Sequence, residues 1–352
     1  MTAGELSSAD NMTGAGQPLT TALKSSDRVA ESLVFGNTHS INQAATNTEH
    51  YEHKARAAVL AFLDTDSTLH TNIFTAGASA SVNLIRHHYF SAQRMAQVAS
   101  NGGKVRLLLS EDMHNSLNGM RTIPGVEVHL LPVHPVTLRV DESQFCAALR
   151  RLGENDEGLV MLTGQSNVSG VRNDPALLQL AKHAGWDTFF DIAAWIPTTH
   201  FSLRSHPYID FVPISWYKVL GDPTGLGSLI VNKSAWSKLH KDFFSGGTVT
   251  FVANTSPETY VLHEDHSKFE DGTGHLRGWV ALYHGLDVLM RSGLRPALEQ
   301  NVAELTIYML ESLSTIHWAS MRHPLLRIAG FPTAADVRNK RQGILHSLAE
   351  AR

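Results

Sequence analysis

Cysteine is nearly absent from this chain. One residue, Cys146, stands among 352, so no disulfide can close within the chain, which fits a reducing compartment. No apolar run is long enough to cross a bilayer, and Met1–Asp10 has no apolar core of signal-peptide length, so the cytosol is the expected location. An excess of either charge is also missing. The formal net charge of −4 gives no electrostatic reason to expect nucleic acid or an anionic membrane as partner. Internal repeats and low-complexity tracts are absent. With 43% hydrophobic and 18% charged residues the composition is that of a soluble globular protein, and 352 residues exceed what one core supports, so a large domain and a smaller lobe are expected.

What is present is an alternation of apolar strands and helical stretches, which argues for an α/β sheet flanked by helices. Thr48–Leu63 has helical spacing and leads into a strand at Asn72–Phe74; a helix at Ala92–Ala99 precedes a strand at Val105–Leu109. Leu159–Thr163 reads as a strand, Pro175–Ala184 as a helix and Asp187–Asp191 as the next strand, while Gly278–Arg291 and Pro296–Thr315 read as long helices. Cys146 falls in Ser143–Leu149, an amphipathic helix whose apolar face buries it as a small hydrophobe.

The densest signal is Ser215-Trp216-Tyr217-Lys218-Val219-Leu220-Gly221-Asp222-Pro223-Thr224-Gly225-Leu226-Gly227, set between the buried strands Ile209–Ile214 and Ser228–Val231. An amine placed where a polar cavity meets a desolvating wall is readied for Schiff-base formation with an aldehyde cofactor, which points to pyridoxal phosphate. A solvated loop lysine is the ordinary alternative, and Asp191 weighs against it. Asp191 ends the apolar run Trp186–Phe190 and is followed by small residues that let a flat ring approach the backbone. A carboxylate there can keep a pyridine nitrogen protonated, so that the ring becomes an electron sink. The spacing of 218 − 191 = 27 residues suffices for one strand-crossover-strand unit to bring both to the same sheet edge.

Five motifs in order complete the pattern: Phe74-Thr75-Ala76-Gly77-Ala78-Ser79, Glu111-Asp112-Met113-His114, Gln165-Ser166-Asn167-Val168-Ser169-Gly170-Val171-Arg172, Asp191 and the Lys218 segment, extended by Val34–Ser40 and Phe269-Glu270-Asp271-Gly272-Thr273. From about Gly14 to Ser320 the chain resembles the class V aminotransferase and cysteine desulfurase family, and within it the desulfurase domain of molybdenum cofactor sulfurases. The resemblance implies the fold type I of pyridoxal-phosphate enzymes: a mainly parallel seven-stranded sheet flanked by helices, with an N-terminal arm over 1–20, a large cofactor-binding domain over 21–290 and a truncated small C-terminal lobe over 291–352.

The resemblance also implies roles for matching residues. Lys218 is the Schiff-base lysine and proton shuttle, Asp191 the partner of the pyridinium and His114 the residue stacked on the ring. Asn167 bonds the phenolic oxygen of the ring, and Ala193 packs beneath it. Ala78 and Ser79 bind the phosphate at a helix start, where free amides and the helix dipole converge, and Ser215 and Tyr217 add hydroxyls. Thr273 reaches the phosphate of the other subunit, which implies a homodimer. Ser79 could equally cap the helix it opens, His114 could be a surface or cap residue, and Tyr217 could be a core tyrosine with its hydroxyl at the surface.

The chain departs from the family pattern at Ala194, where many desulfurases carry glutamine, and at Tyr217, where most carry histidine; both departures agree with the molybdenum cofactor sulfurase branch. The mobile cysteine and the carboxylate-clamping arginine of desulfurases are not recognisable after Ser320, and Arg327 or Arg172 are the substitutes for the clamp. Three readings stay open: an enzyme acting on L-cysteine or another small amino acid, a pyridoxal-phosphate lyase, aldolase or decarboxylase that needs no thiol, and a non-catalytic relative or incomplete chain.

Overall fold

The computed structural model describes residues 16–221, 224–256 and 258–315. Two helices come first, α1 (Gly16–Ser32) and α2 (Gln43–Phe62), followed by β1 (His70–Thr75), α3 (Ala78–His88), α4 (Ala92–Ser100), β2 (Val105–Ser110) and the single turn α5 (Asn115–Asn118). Next are β3 (Val126–Leu131), α6 (Glu142–Leu149), β4 (Glu157–Thr163), α7 (Ala176–His183), β5 (Asp187–Asp191), β6 (Phe211–Ser215), the single turn α8 (Tyr217–Leu220) and β7 (Gly227–Asn232). A hairpin of β8 (Val249–Val252) and β9 (Tyr260–Leu262) precedes the long helices α9 (Leu276–Arg291) and α10 (Leu294–Thr315). Helix α2 begins five residues ahead of the expected Thr48 because the Asn42 side chain accepts the Ala45 N–H and caps the first turn.

The seven strands form one sheet in the order β1-β7-β6-β5-β4-β2-β3. Only β7 runs against its neighbours, pairing antiparallel with both β1 and β6, so the other six strands share one direction. This is the mainly parallel, helix-flanked sheet expected from the sequence. Strands β5 and β6 are buried along their whole length, as the middle of a sheet covered on both faces requires.

Alternate residues feed two cores. Val160, Leu162, Phe190, Val212 and Ile214 join Val59, Phe62, Phe145, Leu178 and Leu282 from α2, α6, α7 and α9 on one face. Leu159, Met161, Phe189, Phe211 and Leu229 join Val82, Ile85 and Val98 from α3 and α4 on the other. Each such side chain contributes about 1.5–3 kcal/mol on leaving water.

The shared direction carries the functional consequence. The C-terminal ends of β1, β2, β4, β5 and β6 emerge at one sheet edge, where open α/β sheets bind ligands. Pairing of β5 with β6 is confined to Phe189 and Phe211, so Pro213, which has no N–H to donate, sits where β5 does not need one. Of the expected divisions, residues 1–15 of the arm and residues 316–352 of the C-terminal lobe, Arg327 included, lie outside the described residues, as do Asp222 and Pro223.

Candidate active site

The loops leaving five strands build a single cleft. It is lined by Ala78, Ser79 and Val82 after β1, His114 and Ser116 after β2, Thr163, Gln165 and Asn167 at and beyond the end of β4, Asp191, Ala193 and Ala194 at β5, and Ser215, Tyr217 and Lys218 at β6 and α8. Asp191, Ala193 and Ser215 are buried in its floor, whereas Ser79, His114, Asn167 and Tyr217 are exposed at its rim. Lys218 is half-buried and carries no hydrogen bond or ion pair among the described residues. The turn that holds it is anchored by Trp216, fully buried, whose Nε1 donates to Ser228 Oγ at 2.9 Å.

Three aspartates of the central strands are buried, and their environments differ. Asp187 has Arg94, Lys182 and Lys238 within 3.6 Å, and Asp210 has Lys182 at 2.6 Å. Asp191 has no ion pair among the described residues. One oxygen accepts the Ala193 N–H at 3.0 Å, and the other makes no hydrogen bond among the described residues. Burial pushes its carboxyl above the usual carboxylate range, against the Ala193 N–H and the more distant charge of Lys218. A cation placed against Asp191 would find a desolvated, under-partnered carboxylate.

At the start of α3 the chemistry has the opposite sign. Gly77 is the N-cap of the helix with φ 143° and has no side chain to cap the first turn itself. The Ala78 N–H donates to Ser215 Oγ at 2.9 Å, which leaves the Ser215 hydroxyl proton free to donate into the cleft. The first-turn amides beyond Ala78 and the helix dipole favour an anion at this end. Its backbone packing is close: a Cβ on Gly227 would lie 2.4 Å from Gly77 Cα and 2.4 Å from Ile214 O, so glycine is required where β7 passes the helix start. Ser79 Oγ lies 2.6 Å from Ser116 Oγ, itself 2.8 Å from His114 Nδ1. Because Nδ1 also accepts the Ser116 N–H at 3.2 Å, the proton of the neutral imidazole is assigned to Nε2.

The cofactor implied by the resemblance, a flat cationic heterocycle carrying a phosphate, fits these residues. A buried carboxylate lacking a cation, the glycine-led start of α3 and an orphaned buried hydroxyl, Thr163 Oγ1, face one space whose remaining floor is the small side chains of Ala193 and Ala194.

Thr273 stands apart. It is exposed and lines a second, larger cavity of about 930 Å³ with Phe269, Glu270 and Gly247. Two local alternatives do not hold. Gly77, not Ser79, is the N-cap of α3, and Tyr217 is 43% exposed and is no core residue. Cys146 is only partly buried, packing against one core from α6, and does not line the cleft. Thr163, Gln165 and Ser116 carry no site role in the sequence reading, although Gln165 opens the motif that contains Asn167. The first two were legible, because a period of two extended back from Asn167 passes through both.

Comparison with known proteins agrees with this fold. The family model "Aminotransferase class-V" matches residues 21–331. Molybdenum cofactor sulfurase from Bos taurus is 31% identical over 297 residues, covering 81% of this chain and 33% of the relative. That from Homo sapiens is 31% identical over 306 residues, covering 84% and 34%. The chain thus spans about a third of the length of these curated relatives. Among solved structures, the cysteine desulfurase CsdA from Escherichia coli superposes with a TM-score of 0.65 at 22% identity, over 84% of this chain and 69% of that one. A C-DES mutant with glycine covalently linked to its PLP cofactor gives 0.68 at 16% identity, over 85% and 75%. At these identities the likeness concerns the fold.

Proposed function

The chain belongs to the class V aminotransferase family, and from that premise we propose that it binds pyridoxal phosphate and acts through it on a small amino acid such as L-cysteine, taking its sulfur and leaving alanine. One observation carries this reading: the amine of Lys218 and the buried carboxylate of Asp191, neither ion-paired among the described residues, share a cleft that ends at the glycine-led start of α3. In this reading residues 21–290 form the cofactor-binding domain, and the name molybdenum cofactor sulfurase of the curated relatives favours a reaction that transfers sulfur.

When bound, the cofactor supplies an electron sink for the pair of electrons left on the substrate α-carbon. Lys218 Nζ would hold the cofactor covalently and would take the α-proton of the substrate. Asp191 keeps the ring nitrogen protonated and gains the cation its buried site lacks. Ala78, Ser79, Ser215 and Tyr217 would bind the phosphate, His114 and Ala193 would hold the ring, and Asn167 would bond its phenolic oxygen. A homodimer places Thr273 at the partner's phosphate. The exposed aromatic and aliphatic side chains Phe243, Phe251, Val252 and Val261, on and beside the β8–β9 hairpin that precedes the 269–273 loop, support such an interface.

Protein loaded with pyridoxal phosphate is expected to absorb near the visible edge, and Lys218→Ala to abolish that band; an unchanged spectrum refutes the lysine assignment. Assay of alanine and sulfide from L-cysteine, with an added thiol as reductant and sulfur acceptor, then tests the reaction. Turnover of a different amino acid without sulfide release would turn the reading to a lyase, aldolase or decarboxylase, and cofactor binding with no turnover to a non-catalytic homologue.

A further inference from the structure

Gln165 lines the cleft, half-buried, and its orientation is fixed by chemistry. Its side-chain oxygen Oε1 accepts from Arg172 Nε at 2.9 Å. A guanidinium has five N–H donors and no acceptor, so only the oxygen end of the carboxamide can face it. The NH2 end therefore points away from Arg172, and it has no acceptor among the described residues. Arg172 in turn is held firmly. Its Nη2 donates to Thr199 Oγ1, and its guanidinium lies over the Trp195 ring, 4.7 Å from the centroid. No carboxylate lies within ion-pair distance of it among the described residues, and Glu299 acts only at longer range. Ala193 and Ala194, which share the cleft, offer no polar side-chain group.

Resting on the cofactor reading above, we propose that Arg172 and Gln165 form a preset donor. The Gln165 NH2 donates to an anionic oxygen of the cleft's occupant, either the phenolate of the cofactor ring or the carboxylate of the bound amino acid, and Arg172 is a positioning residue that acts through Gln165 without touching the ligand. Were the amide free to turn, its oxygen would face that anion half the time and repel it. The short Arg172–Gln165 contact removes this alternative before the ligand arrives.

The test uses cofactor-loaded protein and two spectroscopic readouts that need no turnover. The first is the pH midpoint of the visible band without amino acid. The second is the apparent Kd for glycine, read from the spectral change. Gln165→Leu removes the donor; Gln165→Glu keeps the shape, pairs with Arg172 and cannot donate, which guards against a folding artefact. A phenolate target raises the midpoint by about 0.5–1 pH unit, because an unsolvated phenolate holds the neighbouring proton more tightly. A carboxylate target leaves the midpoint alone and weakens glycine about 3–10-fold. Arg172→Met should give only part of the Gln165→Leu effect, about twofold in glycine affinity for an amide turned the wrong way half the time, the double variant should be no worse than Gln165→Leu alone, and Arg172→Lys, which still presents only donors, should restore part of the Arg172→Met loss. The proposal is overturned if both Gln165 variants match wild type in both readouts, or if the Arg172→Met and Gln165→Leu effects add. A wild-type protein that forms no visible band sinks the cofactor reading and this proposal together, whereas a normal band indifferent to Gln165 sinks this proposal alone.

Discussion

Replacing Glu270 by glutamine should unfasten the loop that carries Thr273 from the sheet. Glu270 Oε1 accepts the Phe74 N–H at 2.7 Å and Arg56 Nη1 at 2.8 Å, and Oε2 accepts Arg56 Nη2 at 3.1 Å. Arg56 is also bound to Glu52 at 2.6 Å and to the Asn72 carbonyl, so one guanidinium ties α2, β1 and the 269–273 loop together. Glutamine offers one acceptor oxygen where two are engaged, which sets an N–H against a donor and leaves Arg56, 11% exposed, with half its counter-charge. Losing one partner of a buried pair costs about 3–5 kcal/mol, and the surviving Glu52 places this case near about 3 kcal/mol.

A second estimate comes from titration. Burial alone would raise the Glu270 carboxyl, but the Arg56 charge and hydrogen bonds from His266 and Arg56 outweigh it and bring it from 4.5 to about 2. A depressed carboxylate contributes stability that is present above its unfolded value and is lost as pH falls through the folded one. The loss therefore runs from about pH 5 to pH 2 and amounts to about 3 kcal/mol. Urea denaturation of wild type and Glu270→Gln across that range measures both effects. The wild type should lose stability on the acid side, and the variant should start lower and lack most of that limb. A difference below about 1 kcal/mol at pH 7, or identical acid limbs, refutes the reasoning.

Gly227→Ala should destabilise the protein by about 1–3 kcal/mol and weaken pyridoxal phosphate binding in equilibrium dialysis, because the added methyl meets two backbone atoms that cannot rotate away; binding equal to wild type argues against the helix-start phosphate site. Asp191→Asn should retain cofactor yet lose at least about 100-fold in turnover, since an amide holds a pyridinium poorly; near-normal kcat would contradict the role. Phe251→Ser, at an exposed position on β8, should shift sedimentation from dimer towards monomer, and an unaltered profile would move the interface elsewhere. Cys146→Ser should leave sulfide release from L-cysteine unchanged, as the thiol packs on α6 and does not line the cleft; loss of sulfide in that variant would reopen its part in sulfur transfer.

Much of the site was legible because the informative segments are local. Lys218 between two apolar strands, Asp191 at the end of a third and the small residues after it need only alternation and glycine punctuation to be seen. The strands themselves followed from runs of apolar side chains, with ends off by a few residues where a cap such as Asn42 decided the start. Less legible were residues whose value depends on a distant partner. Gln165 is an ordinary polar residue until Arg172 fixes which end of its amide faces the cleft, and Glu270 is one acid in a loop until Arg56, 214 positions away, neutralises it.

By itself the sequence determined the element types, the amine, the carboxylate and the glycines, since each is a property of neighbours along the chain. Tertiary structure alone decided that five loops meet at one edge, because this depends on strand order and on β7 running against the rest. It also decided which buried aspartate lacks a cation. Asp187 and Asp210 end up beside Lys182, and Asp191 does not; electrostatic environment is set by distances through space, which no spacing along the chain encodes.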